Sequence, residues 1–156
     1  MTYAIVGLDV EPFRALFGLS EDELAARHVV RVVADSPVGY PCRVLLEDAR
    51  PGESLLLLNH EFQSAETPYR GRHAIFVNEA ADAPRRFVDE VPPVLSVRPA
   101  ISLRAFDALG MMIDAELVSG AEIEPAILRM LGDPEAAYLH AHNAARGCFA
   151  ARIERG

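Results

Sequence analysis

Through the first half of the chain, apolar residues come in short runs separated by polar, glycine-bearing or proline-bearing stretches: YAIVGL, HVVRVVAD, SLLLLN and HAIFVN. Their Val, Ile and Leu content and their length predict β-strands, with EDARPGE turning the chain before SLLLLN. In SEDELAARH the period changes, and Ser20 stands three residues before Glu23, the spacing of a capping box, so a short helix opens there. From Glu79 to Pro99 prolines and charges break the pattern. That stretch reads as a long connection with one helical turn around Arg85 to Asp89.

The last third alternates more cleanly. ISLRAFD, ALG and MMIDAELV form strand, tight turn and strand, with Asp107 opening the turn and Gly110 closing it in a left-handed conformation. This register sets Asp107 opposite Met111 and Arg104 opposite Asp114, a cross-strand ion pair. Ile101, Leu103, Ala105, Met111, Ile113, Ala115 and Leu117 then share an apolar face, and Ser102, Arg104, Phe106, Met112, Asp114 and Glu116 the other. Ile123, Ile127, Leu128 and Leu131 follow at helical spacing, so residues 121–131 form an amphipathic helix that ends at Gly132 and covers the apolar face. The strand EAAYLHAHN then runs parallel to MMIDAELV through a right-handed crossover, giving a mixed sheet, and CFAARIER is the final strand.

In YLHAHNAARGCF, residues 138–149, strand alternation turns Tyr138, His140 and His142 one way and Ala137, Leu139 and Ala141 the other. The small apolar side suits the helix, so both histidines face the open side of the sheet with Arg104, Asp114 and Glu116. A four-residue loop over 144–147 pairs Asn143 with Cys148 and His142 with Phe149. It leaves Cys148 on the face opposite the histidines, an inert buried thiol with no base beside it.

Composition narrows the chemistry. With 156 residues, one domain is expected to span 1–156, and no apolar run approaches the ~20 residues of a membrane-spanning helix. No signal peptide is visible, and Cys42 and Cys148 lack CxxC spacing, so a soluble cytoplasmic protein with free thiols is expected. The formal net charge of -8 argues against a nucleic-acid partner. Every basic side chain apart from histidine is arginine, which removes the P-loop lysine, a Schiff-base lysine and any lysine general base. GxGxxG, GxSxG and HExxH are likewise missing.

Three readings of the histidine pair stand side by side: a structural pair hydrogen-bonded within a partly buried strand, a small-molecule site, or a mononuclear metal site completed by Asp114 or by Glu116 or the distant His60. In the small-molecule reading, His140 and His142 supply acid–base chemistry of a small-hydrolase kind, or hydrogen bonds. Arg104 binds an anionic small molecule there, and Arg43, Tyr69 and Asn143 are further candidate ligand-binding residues. No cofactor is predicted. The alternative class is a non-catalytic interaction domain or homodimer, suggested by high apolar content without a catalytic motif.

Taken together, PCRVLLEDARPGESLLLLNHEF, TPYRGRHAIFV, SLRAFDALGMMIDAELVSG and YLHAHNAARGCFAARIER are similar, in order and spacing, to the bacterial domain-of-unknown-function family 1203. The resemblance spans essentially the whole chain. It implies a stand-alone domain of this size and brings no activity, cofactor or catalytic residue. The family's recognisable polar positions fall on Arg43, Tyr69, Arg104, Asp107, His140, His142, Asn143 and Cys148. The fold expected is α+β, one mostly antiparallel, mixed sheet with the amphipathic helix on one face, a short N-terminal helix, and the other face partly open.

Overall fold

The computed structural model describes residues 1–156. In chain order the elements are β1 (Tyr3–Val6), α1 (Glu11–Arg14), α2 (Glu21–Ala25), β2 (Val30–Val33), β3 (Pro41–Cys42), β4 (Glu47–Asp48), β5 (Ser54–Gln63) and β6 (Gly71–Asn78), then β7 (Arg86–Val88), α3 (Pro93–Ser96), β8 (Ile101–Phe106), β9 (Met112–Val118), α4 (Ile123–Leu131), β10 (Tyr138–Asn143) and β11 (Phe149–Arg155). The fold is α+β, as expected. Its strands, however, divide into two sheets, one ordered β7-β1-β11-β10-β8-β9 and one ordered β2-β5-β6-β3-β4. No helix is long and apolar enough to cross a membrane.

Local chemistry explains most elements. The Ser20 hydroxyl accepts the Glu23 N–H and the Glu23 carboxylate accepts the Ser20 N–H, so the expected capping box opens α2. At its other end, His28 N–H donates to Ala25 O and Val29 N–H to Leu24 O, the paired bonds of a Schellman stop. Helix α4 turns Ile123, Ala126, Ile127, Met130 and Leu131 into the larger core. They meet Ile101, Leu103 and Ala105 of β8, Leu139 and Ala141 of β10, and Ala151 and Ile153 of β11. Each fully buried Leu or Ile contributes on the order of 1.5 to 3 kcal/mol there. A second core forms where Leu56 and Leu58 of β5 and Ile75 and Val77 of β6 meet Val10, Phe13, Leu24 and Val29 around α1 and α2.

Four further expectations change. The helical turn over Arg85 to Asp89 is instead β7, which pairs antiparallel with β1. Tyr3 N–H donates to the Asp89 carboxylate at 2.9 Å, and Phe87 packs on the core, so an unpaired edge of β1 overrides local helix propensity. The β8–β9 turn is as read, with Asp107 N–H on Met111 O and Gly110 at φ 86°, but a bulge between Ala105 and Phe106 shifts everything beyond it. Arg104 consequently lies opposite Ala115, not Asp114, and the ion pair between them does not form. Asp114 now faces with Ala105, and Glu116 with Leu103, toward the helix, where Glu116 binds Arg129 of α4.

The third change concerns sheet type. β10 does run in the same direction as β9, but β8 lies between them, so every pairing in that sheet is antiparallel. The parallel contact is elsewhere, where Cys42 of β3 meets Phe76 of β6. Finally, the face of the first sheet away from α4 is covered. The end of the long β5–β6 hairpin lies across it, inserting Phe62 against His140, His142 and Phe149.

Candidate functional site at the seam between the sheets

The β10–β11 hairpin builds one wall of the seam. Its loop is the four-residue form: Asn143 N–H donates to Cys148 O at 2.9 Å, Gly147 N–H donates to Asn143 O at 2.7 Å, and Gly147 takes φ 76°. His142 therefore pairs with Phe149, while Asn143 and Cys148 turn to the opposite face. There the Cys148 sulfur accepts from Asn143 Nδ2 at 3.3 Å and from Arg43 Nη2 at 3.4 Å. Arg43 is 4% exposed and also donates to the Phe149 and Pro41 carbonyls. With no carboxylate against it, this guanidinium ties the start of β11 to β3 through backbone carbonyls. Both cysteines are free and buried.

The other face carries the histidines. Tyr138, His140 and His142 project together, and His140 lies between Arg104 of β8 and Arg152 of β11. His140 is 3% exposed and His142 is fully buried. Phe106 and Phe149 flank the His140 ring at 4.9 and 5.1 Å between centroids, and Phe62 meets the His142 ring edge-on at 4.9 Å. His60 continues this cluster from β5, 6.2 Å from Phe149, and is paired across the hairpin with His73.

Burial dominates the electrostatics. Loss of solvent, reinforced by the neighbouring His142 and by Arg152 and Arg104, lowers the pKa of His140 to about 3. Burial likewise lowers His142 to about 4, against a hydrogen bond to the Gly147 carbonyl that pulls the other way. That bond, 2.9 Å from His142 Nδ1, requires the proton on Nδ1 and leaves Nε2 a bare lone pair. His142 Nε2 and His140 Nδ1 are buried without partners. Two neutral imidazoles are locked into aromatic packing.

Both imidazoles are therefore uncharged near neutrality, each keeping one N–H and one basic nitrogen, and the packing around them leaves neither ring open to solvent. The metal reading loses its third ligand, because Asp114 and Glu116 face the helix, and no trio of His, Cys, Asp or Glu is placed to hold an ion. Arg104 does lie on the histidine face, half-buried, and its Nε donates to Ser102 Oγ at 3.1 Å. Burial lowers its pKa. Tyr69 stands one ring further out, edge-on at 6.4 Å to Phe106, which itself flanks His140. The structure thus gathers His140, His142 and Arg104 on one face and Arg43, Asn143 and Cys148 on the other, and leaves Tyr69 and Asp114 outside both groups.

A concave feature lies next to this cluster, on the far side of His60. A cleft of about 760 Å³ opens between α1, the end of α2 and β5. Phe13, Leu16, Val29 and Leu58 form its apolar floor. His60 lies in its wall, its ring 5.8 Å from Phe13, and burial lowers its pKa. Arg27, His28 and Arg72 stand at the mouth, with Glu61 the one acidic side chain in the lining. Glu61 is shared by Arg72 at 3.1 Å and Arg70 at 3.4 Å, so a single carboxylate faces two guanidinium groups.

Apart from His60, considered only as a distant metal ligand, these residues were not singled out by sequence reasoning. A signal was present: Leu56, Leu58, His60 and Phe62 are spaced two apart along one strand, so a histidine interrupts an apolar face. Another was His28, placed after a capped helix where glycine is usual. In comparison with known proteins, residues 39–155 match the model of one family, described as a protein of unknown function (DUF1203). No curated protein and no solved structure matches the chain.

Proposed function

The chain belongs to the DUF1203 family, whose description carries no activity, and we propose from the geometry of the seam that it is a small-molecule-binding protein whose ligand occupies the cleft beside His60. The observation that carries this reading is the cleft itself. Its volume falls in the range of about 300 to 1,000 Å³ that ligand sites occupy. Its floor is apolar, and a few polar groups converge at its mouth, the pattern that orients a ligand while burying its carbon skeleton.

His140 and His142 serve this reading from behind. Their rings and Phe149 form the aromatic packing against which His60 rests, so they hold the wall rather than touch the ligand. A saturation-transfer NMR screen of small fragments, run on the unaltered protein and on Leu16→Trp, tests the assignment. Fragments bind the unaltered protein, and the added indole displaces them while the melting temperature stays within a few degrees. An absence of binders, or binders untouched by a folded Leu16→Trp variant, overturns it.

A further inference from the structure

Three non-glycine residues have left-handed backbone conformations: His28 at φ 57°, Leu46 at 53° and Asp89 at 51°. For an L-residue this region crowds Cβ against the backbone, so a side chain kept there needs a compensating role. Two of the three have one inside the fold. Leu46 is 1% exposed in the larger core, and Asp89 accepts the Tyr3 N–H. His28 has none: it is exposed, and its imidazole finds no hydrogen-bond partner within the chain. It sits at the Schellman stop of α2, where glycine is the favoured residue, and its ring lines the mouth of the cleft.

The charges of its neighbours are only partly matched within the fold. Arg27 donates to the Glu23 carbonyl at 2.8 Å and has no carboxylate within ion-pair distance, and Arg72 shares its one acid, Glu61, with Arg70. In a chain of formal charge -8 this mouth carries more positive than negative side chains. An imidazole without a partner in the fold beside a guanidinium without a carboxylate, set around an apolar floor, matches a ligand with a charged head and an apolar body.

Resting on the assignment of the cleft, we infer that its ligand is a small amphiphilic anion, whose head group is held at the mouth by Arg27 and His28 and whose apolar part lies on Phe13, Leu16 and Leu58. An imidazole carries an N–H donor in either protonation state, so His28 serves as a head-group donor across the neutral pH range. The strained backbone at His28 is then tolerated for binding, and stability and affinity pull in opposite directions at this one residue.

Isothermal titration with octanoate, phenylacetate, 1-octanol and octylamine, alongside thermal melts of the unaltered protein, His28→Gly, His28→Ala and Arg27→Gln, tests the inference. The anions bind in preference to the alcohol and the amine. His28→Gly melts at higher temperature than the unaltered protein yet binds the anion about tenfold more weakly, the loss expected for one hydrogen bond to a charged group. His28→Ala and Arg27→Gln lose affinity as well. Equal binding of octanoate and 1-octanol, or unchanged affinity in His28→Gly, overturns the anion assignment while leaving the cleft standing as a binding site. If none of these probes binds and the fragment screen is also empty, the cleft assignment falls with it.

Discussion

Acidification from pH 7 to pH 5 removes stability through the buried histidines, in a range where the carboxylates do not yet respond. In the unfolded chain each imidazole titrates near 6.5; in the folded protein His140 titrates at about 3 and His142 at about 4. The unfolded state therefore binds more protons than the native state anywhere below 6.5, and stability falls as pH falls. Each pH unit below 6.5 and above the native value costs about 1.4 kcal/mol per group, so at pH 5 each histidine has lost about 2 kcal/mol and the pair about 4 kcal/mol. That is about a quarter or more of the total stability of a typical domain, about 5 to 15 kcal/mol. His60, lowered by the same burial, acts in the same direction. The acids behave differently. Glu79, held at about 2 by Arg31, and Glu53, held low by Asn78, surrender their contributions only as pH drops below about 4.5. Urea unfolding at half-unit steps from pH 7.5 to 4.5 measures the slope, with His140→Phe/His142→Phe as the control. The unaltered protein steepens below pH 6.5, and the double variant loses most of that slope whatever its absolute stability. A flat profile between pH 7 and 5, or the same slope in both proteins, refutes the claim that these imidazoles are held neutral by burial.

Other substitutions probe the frame around the site. Arg43→Ala leaves the Phe149 and Pro41 carbonyls without their donor in a buried position, and a loss of about 3 kcal/mol in chemical denaturation is expected. Gly7→Ala places a methyl group 1.9 Å from Val44 O, a backbone atom that cannot step aside, so the variant fails to reach the native circular-dichroism spectrum or melts far below the unaltered protein. Ser20→Ala removes the hydroxyl of the capping box and lowers stability by about 1 kcal/mol, and Ser20→Gly by less, as thermal melts will read. At His28, relief of the left-handed strain makes His28→Gly more stable by about 1 kcal/mol, checked by the same denaturation series.

Much of the architecture follows from short-range pattern. The capping box at Ser20, the turn from Asp107 to Gly110, the amphipathic stripe of α4 and the four-residue loop after Asn143 each depend on residues within a few positions of one another. The common direction of His140 and His142, away from the helix, follows from strand alternation alone. So does the separation of Cys148 from them. These features are written locally, and the sequence by itself determines them.

What only the tertiary structure decides is what meets those faces. A single bulge beside Phe106 reverses Asp114 and Glu116 with respect to Arg104, because one extra residue exchanges the two faces of a strand, and no local signal marks it. A segment with helical character at Arg85 becomes a strand because β1 has an edge to fill. Above all, the histidine face is closed by a hairpin some eighty residues earlier in the chain, whose Phe62 and His60 pack against it. Phe106 and Phe149 enclose the rings from within their own sheet, but the cover over that face, and with it the burial that lowers their pKa, comes from that long-range contact. The same contact sets His60 between the aromatic cluster and the cleft, which joins residues 138–149 to a concavity that no local pattern announces.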